Sequence, residues 1–138
     1  LRVWYGRLLK LLDSPAFNRG DYLPLNPVTR TNPAFGRLSG EEASGHWLSA
    51  FARFDASTGR LFLVIANLHP RQAVRDVRIR LTPEVGQALE LGRNERRITL
   101  VDRLGDLGKL VQDMKEVRLL GIAVSELAAL GVAYLEKV

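Results

Sequence analysis

The stretch His46–His69, HWLSAFARFDASTGRLFLVIANLH, limits the fold more than any other part of the chain. It holds two apolar runs, Trp47 to Phe54 and Leu61 to Leu68, parted by the polar segment Asp55-Ala56-Ser57-Thr58-Gly59-Arg60. Two apolar runs joined by a few polar residues, with a glycine near the end, read as a β-hairpin. Gly59 supplies the left-handed backbone conformation that such a loop needs. The second run has almost no polar alternation. A strand that is apolar on both faces is covered on both faces, which places it centrally in a sheet. A buried helical turn can carry a similar run, but Phe62, Val64 and Ile65 favour a strand.

The chain on either side extends this reading. Leu1, Trp4, Tyr5, Leu8, Leu11 and Leu12 fall at helical spacing, so Leu1–Leu12 reads as an amphipathic helix that stops before Asp13-Ser14-Pro15. Gly6 weakens that helix by about 1 kcal/mol relative to alanine. A helix carrying Trp4 and Tyr5 is expected to pack on this domain or on a neighbouring one. Asn18 to Asp21 is a turn and Tyr22 to Leu25 a short extended piece. Residues 26–45 are rich in Pro, Asn, Thr, Gly and Ser and read as a long loop. Val77, Ile79 and Leu81 alternate with Asp76, Arg78 and Arg80, the pattern of a half-buried strand. Pro83 to Leu91 suggests a helical turn. Ile98–Val101, Val117–Val124 and Val132–Leu135 read as further short strands. Short strands punctuated by turns predict an all-β antiparallel β-sandwich of Greek-key type, preceded by one N-terminal helix.

The chain has 138 residues, enough for one core without cross-links. It contains no cysteine, which excludes a disulfide scaffold and thiolate metal sites. No apolar run is long enough to cross a membrane as a helix. The chain opens on Leu1, without Met and inside an apolar pattern, as expected of a piece of a longer polypeptide. Its formal net charge is +5, mostly from arginine. Arg75, Arg78 and Arg80 lie on or beside one strand, and Arg93, Arg96 and Arg97 in the following turn. Nucleic-acid binding would call for aromatics on the same face, which Val74–Leu81 lacks. Charge on an edge strand that must stay unpaired accounts for the arginines more simply.

Little in the chain carries catalytic chemistry. His46 and His69 flank the hairpin, so the hairpin brings them near one another. Without a third ligand close in sequence they make an incomplete metal site and read as surface histidines at strand ends. Glu41-Glu42 is a carboxylate pair in a loop with nothing to set it about a scissile bond. No nucleophile elbow and no phosphate-binding glycine loop is present. Trp4, Tyr5, Tyr22, Trp47 and Tyr134 are candidates for stacking on sugar rings, with core packing the ordinary role for such residues. Trp47 and Tyr22 are the candidate carbohydrate-binding residues.

Several motifs, in order, resemble one family. Trp4 to Phe17, with Arg19-Gly20-Asp21-Tyr22, resembles the junction after the catalytic barrel in the α-amylase family, glycoside hydrolase family 13. There a "(Y/F)-x-x-L-L-x-L" helix leads to "P-A-L-x-x-G-x-(Y/F)". Phe51-Ala52-Arg53-Phe54 followed by Leu63-Val64-Ile65-Ala66-Asn67-Leu68 is similar to that family's paired strands ending "V-V-x-N-L". Val101 to Asp106 is similar to its "D-L-L-T-G-E" turn, and Leu127 to Glu136 to its closing "L-P-P-L-G-V-A-V-L-E" strand. The chain departs from the pattern at Ala128-Ala129, where the family has paired prolines, and in the length of the 26–45 loop. The resemblance implies the family's C-terminal β-sandwich, domain C. Residues 1–15 would then be a helix of the preceding (β/α) barrel, or packed on it, and 16–138 the sandwich. It also implies a partner, the catalytic barrel of the same polypeptide, and a non-catalytic stabilising role. No position matches the family's catalytic carboxylates, so no catalytic residue carries over, and no cofactor or metal is expected. An α-glucan-binding module and a basic interaction module are the alternatives; neither a membrane nor nucleic acid is an expected partner.

Overall fold

The computed structural model describes residues 2–25, 35–37, 47–90, 96–105 and 107–138. Among them nine strands form two antiparallel sheets. The larger sheet has the order β1-β3-β4-β9-β6-β7, built from β1 (Asp21–Pro24), β3 (Leu48–Asp55), β4 (Arg60–Asn67), β6 (Arg97–Asp102), β7 (Lys109–Asp113) and β9 (Val132–Lys137). The smaller is β2-β5-β8, from β2 (Phe35–Arg37), β5 (Val74–Ile79) and β8 (Ile122–Leu127). The chain passes from one sheet to the other on entering and on leaving each of β2, β5 and β8, and β9 then threads between β4 and β6. The expected antiparallel sandwich is the fold observed.

Among the described residues four helices accompany the strands: α1 (Arg2–Leu12), α2 (Pro15–Asn18), α3 (Pro83–Glu90) and α4 (Met114–Leu120). The predicted N-terminal helix is α1, and Pro15 opens the next helix instead of extending the first.

The hairpin forms as its pattern demands. β3 and β4 pair in register from Leu48↔Asn67 to Asp55↔Arg60, and Gly59 has φ +72° in the loop. Asp55 organises that loop: its carboxylate accepts from the Ser57 amide at 3.1 Å, the Ser57 hydroxyl at 2.8 Å and the Thr58 hydroxyl at 2.7 Å. The Thr58 hydroxyl above all, and then that of Ser57, holds the Asp55 carboxyl below its ordinary value.

Inward side chains of both sheets make one core. Leu48, Leu61, Leu63, Ile65, Leu100 and Leu135 meet Val74, Val77, Ile79, Ile122, Val124 and Leu127. Val85 and Leu89 of α3 and Met114 and Val117 of α4 join the same cluster. β4 lies third in its sheet, and Phe62 and Val64 on its other face are buried as well. The apolar run without alternation is therefore a central strand covered on both sides.

Side chains tie the sheets together where backbone pairing cannot. Asn67, buried at the end of β4, donates through Nδ2 to the carbonyls of Gln72 (2.9 Å), Leu127 (3.2 Å) and Ala128 (3.0 Å), and its Oδ1 accepts from the His69 amide at 3.0 Å. Gln112 of β7 does the same with Ala123 of β8, accepting from its amide at 2.8 Å and donating to its carbonyl at 2.6 Å.

Three expectations need correction. Val117–Val124 is not one strand: α4 runs to Leu120, Gly121 turns the chain with φ +95°, and β8 starts at Ile122. β5 is not an edge strand, since β2 and β8 flank it and its arginines are paired with glutamates, Arg75 to Glu126 at 3.3 Å and Arg78 to Glu116 at 2.8 Å. Within the 26–45 loop, Phe35–Arg37 pairs with β5 as a strand, Phe35↔Val77 and Arg37↔Arg75; the rest of that loop lies outside the described residues.

Candidate functional site

The larger sheet turns its second face away from the core. The register places Tyr22, Phe51, Phe62, Val64, Tyr134 and Glu136 on it. α2 covers the middle: Phe17 packs at 4.8 Å from Phe62 and 6.1 Å from Tyr134 between ring centroids. Arg53 fastens the helix there, donating from Nε to the Ala16 carbonyl at 3.1 Å and from Nη2 to the Phe17 carbonyl at 2.7 Å. Burial on this face pushes the Tyr134 phenol above its ordinary value.

Beyond α2 this face and α1 present apolar groups to solvent. α1 has no buried residue, and Val3, Trp4, Tyr5, Leu9 and Leu12 are exposed. Tyr5, Leu9 and Leu12 follow one another at helical spacing and form a stripe. Such a stripe on so short a helix finds little to stabilise it in water alone.

Where α1 passes the sheet, an ionic cluster forms at the ends of β4, β6 and β9. Arg60 donates to Glu136 Oε1 from Nε at 3.0 Å and Nη2 at 2.8 Å, and Arg103 Nε donates to Oε2 at 2.7 Å. The Glu136 side chain is only 11% exposed. Arg60 also lies 5.2 Å from the centroid of the Phe62 ring. The cluster and one side of α1 border a cleft of about 690 Å³ lined by Arg7, Lys10, Leu11, Ser14, Arg60, Arg103 and Glu136. Four cations there face one carboxylate. Sequence reasoning did not find this cleft. The one local signal was an acidic residue, Glu136, closing an otherwise apolar strand.

The candidate sugar-binding residues are not brought together. Tyr22 is 56% exposed on β1, tilted against Phe51 at 5.1 Å. Trp47 is half-buried against the core, edge-on to His69 at 4.5 Å. Tyr22 pairs with Arg53, so along β3 it stands about 20 Å from Trp47 at the rise of an antiparallel strand. His69 Nδ1 accepts from the amides of Arg71 (3.0 Å) and Gln72 (2.9 Å), capping its own turn. His46, Glu41, Glu42 and Arg93 lie outside the described residues. Among the described residues no three His, Cys, Asp or Glu side chains gather as metal ligands. Arg75 and Arg78 of β5 lie in the smaller sheet and Arg97 of β6 in the larger.

No protein-family model matches the chain. Over an alignment 74 positions long that covers 48% of this chain, it is 38% identical to alpha-1,4-glucan:maltose-1-phosphate maltosyltransferase of Corynebacterium glutamicum. In part of its length this chain is similar to that enzyme. The match spans 11% of the maltosyltransferase.

Proposed function

We propose that this chain is the non-catalytic C-terminal β-sandwich of an α-amylase-like enzyme, and that it packs on and stabilises a catalytic (β/α) barrel of the same polypeptide. The observation that carries this reading is α1, a helix with no buried residue and an aromatic-aliphatic stripe turned to solvent. A neighbouring domain that covers Tyr5, Leu9 and Leu12 would bury each at a gain of about 1.5–3 kcal/mol for the aliphatic chains. In this reading residues 1–15 belong to the barrel and 16–138 form the sandwich. Partial similarity to a maltosyltransferase, whose name places it among enzymes acting on α-1,4-glucans, supports the same assignment.

The test has two arms. The isolated chain should neither hydrolyse nor elongate α-1,4-glucans; turnover abolished by one carboxylate substitution would overturn the proposal. In the full-length enzyme, Leu9→Asp should lower the melting temperature of the barrel, and an unchanged barrel transition would count against the docking role.

Exposed Tyr22, tilted against half-buried Phe51, favours a second reading, an α-glucan-binding surface. Maltoheptaose titrated against the chain should then show saturable binding lost in Tyr22→Ala.

A further inference from the structure

We propose that the cleft between α1 and the outer face of the larger sheet is a binding site for a phosphate dianion, free or carried on a small molecule. The argument begins with Glu136. Both its oxygens are occupied, Oε1 by Arg60 and Oε2 by Arg103, so the carboxylate acts as a clamp that holds two guanidinium groups in place. Each guanidinium has five N–H donors in a rigid fork. Arg60 spends Nε and Nη2 on the clamp, and Arg103 spends Nε. Among the described residues, Arg60 Nη1 and both Nη atoms of Arg103 make no further hydrogen bond. Their side chains are 38% and 42% exposed, so those donors are within a ligand's reach. Stacking of Arg60 near the Phe62 ring fixes its plane.

Two preset guanidinium edges beside one another are the standard chemistry for an oxyanion, because a planar fork matches phosphate oxygens two at a time. Arg7 and Lys10 add two more cations from α1. With one carboxylate against four cations, the cleft lacks negative charge, and a dianion restores the balance better than a monoanion. Ser14 also lines the cleft, nine-tenths buried, and its hydroxyl has no hydrogen-bond partner among the described residues. The volume, about 690 Å³, exceeds a bare phosphate and lies in the range of small-molecule sites. The inference rests on α1 lying against the sheet, so it is tested on the full-length protein as well as on the chain itself.

The experiment is calorimetric titration of the 138-residue chain and of the full-length protein, at low salt, with inorganic phosphate, with glucose 6-phosphate and with glucose. Saturable binding of a phosphate probe is expected, weakened by added salt and absent for glucose. Arg103→Gln and Arg7→Gln should each weaken it by about tenfold or more, the loss of one charge-assisted contact. Tighter binding of the sugar ester would assign a phosphate monoester, and equal binding would assign the free ion. Circular dichroism checks the fold of each variant, and Arg7 lies on an exposed helix whose substitution leaves the sandwich intact. A flat titration with both phosphate probes would overturn the proposal. So would binding that neither substitution weakens.

Discussion

Asn67 and Asp55 stand at opposite ends of the same hairpin, and each does with a side chain what the backbone cannot. Asn67 serves carbonyls of the Gln72 turn and of the β8–β9 connection, about sixty residues away in sequence. Replacing it with Leu keeps the approximate volume and removes the donors, so we expect a loss of about 2–4 kcal/mol in urea unfolding, since buried carbonyls are left without partners. Asp55 yields a pH prediction. Its folded-state pKa lies below the unfolded value, so the carboxylate stabilises the fold fully above the unfolded value, and that contribution is lost as pH falls through the folded one. Asp55→Asn should therefore be less stable than the parent at neutral pH, with the gap closing on acidification. Unfolding curves across a pH series give the answer. The place of Asn67 in its motif was readable, but its partners were not, because no local pattern announces hydrogen bonds made across so long a loop.

Among the elements, those with one dominant period were legible and those that change period were not. β3 and β4 follow from the hairpin pattern almost to the residue. The segment Asp113–Leu127 changes from helix to strand at Gly121, and an apolar run spanning the change reads as one strand. Signals of the change were present. Asp113 and Glu116 have the spacing of a capping box, and the Asp113 carboxylate does accept from the amides of Lys115 (2.8 Å) and Glu116 (3.2 Å). Gly121 closes α4 with a positive φ, and a Cβ there would collide with the Ile79 carbonyl. Gly121→Ala should cost about 1–3 kcal/mol from the strained dihedral alone, and more through displacement of β5. Gly6, by contrast, has open space around it and an ordinary helical setting. Gly6→Ala should raise the helix content of α1 and leave the sandwich's melting temperature unchanged.

For the whole molecule, charge was legible as composition and not as place. The net charge of +5 says that cations are in excess. It does not say that Arg75 and Arg78 are answered by Glu126 and Glu116 on one side of the sandwich. Nor does it say that Arg60, Arg103, Arg7 and Lys10 converge on the other. Convergence depends on strand order, and strand order follows from how β9 threads between β4 and β6.

Gln112 caps one backbone amide of the neighbouring sheet. β8 lies at the rim of its sheet, where outward amides trade their protons with water quickly. The Ala123 amide points outward but is held by Gln112 Oε1. In heavy water that single site should therefore take up deuterium as slowly as an interior amide, and Gln112→Ala should restart its clock without altering its neighbours'. At this one rung the two sheets join into a continuous wall, and the sandwich comes close to being a barrel.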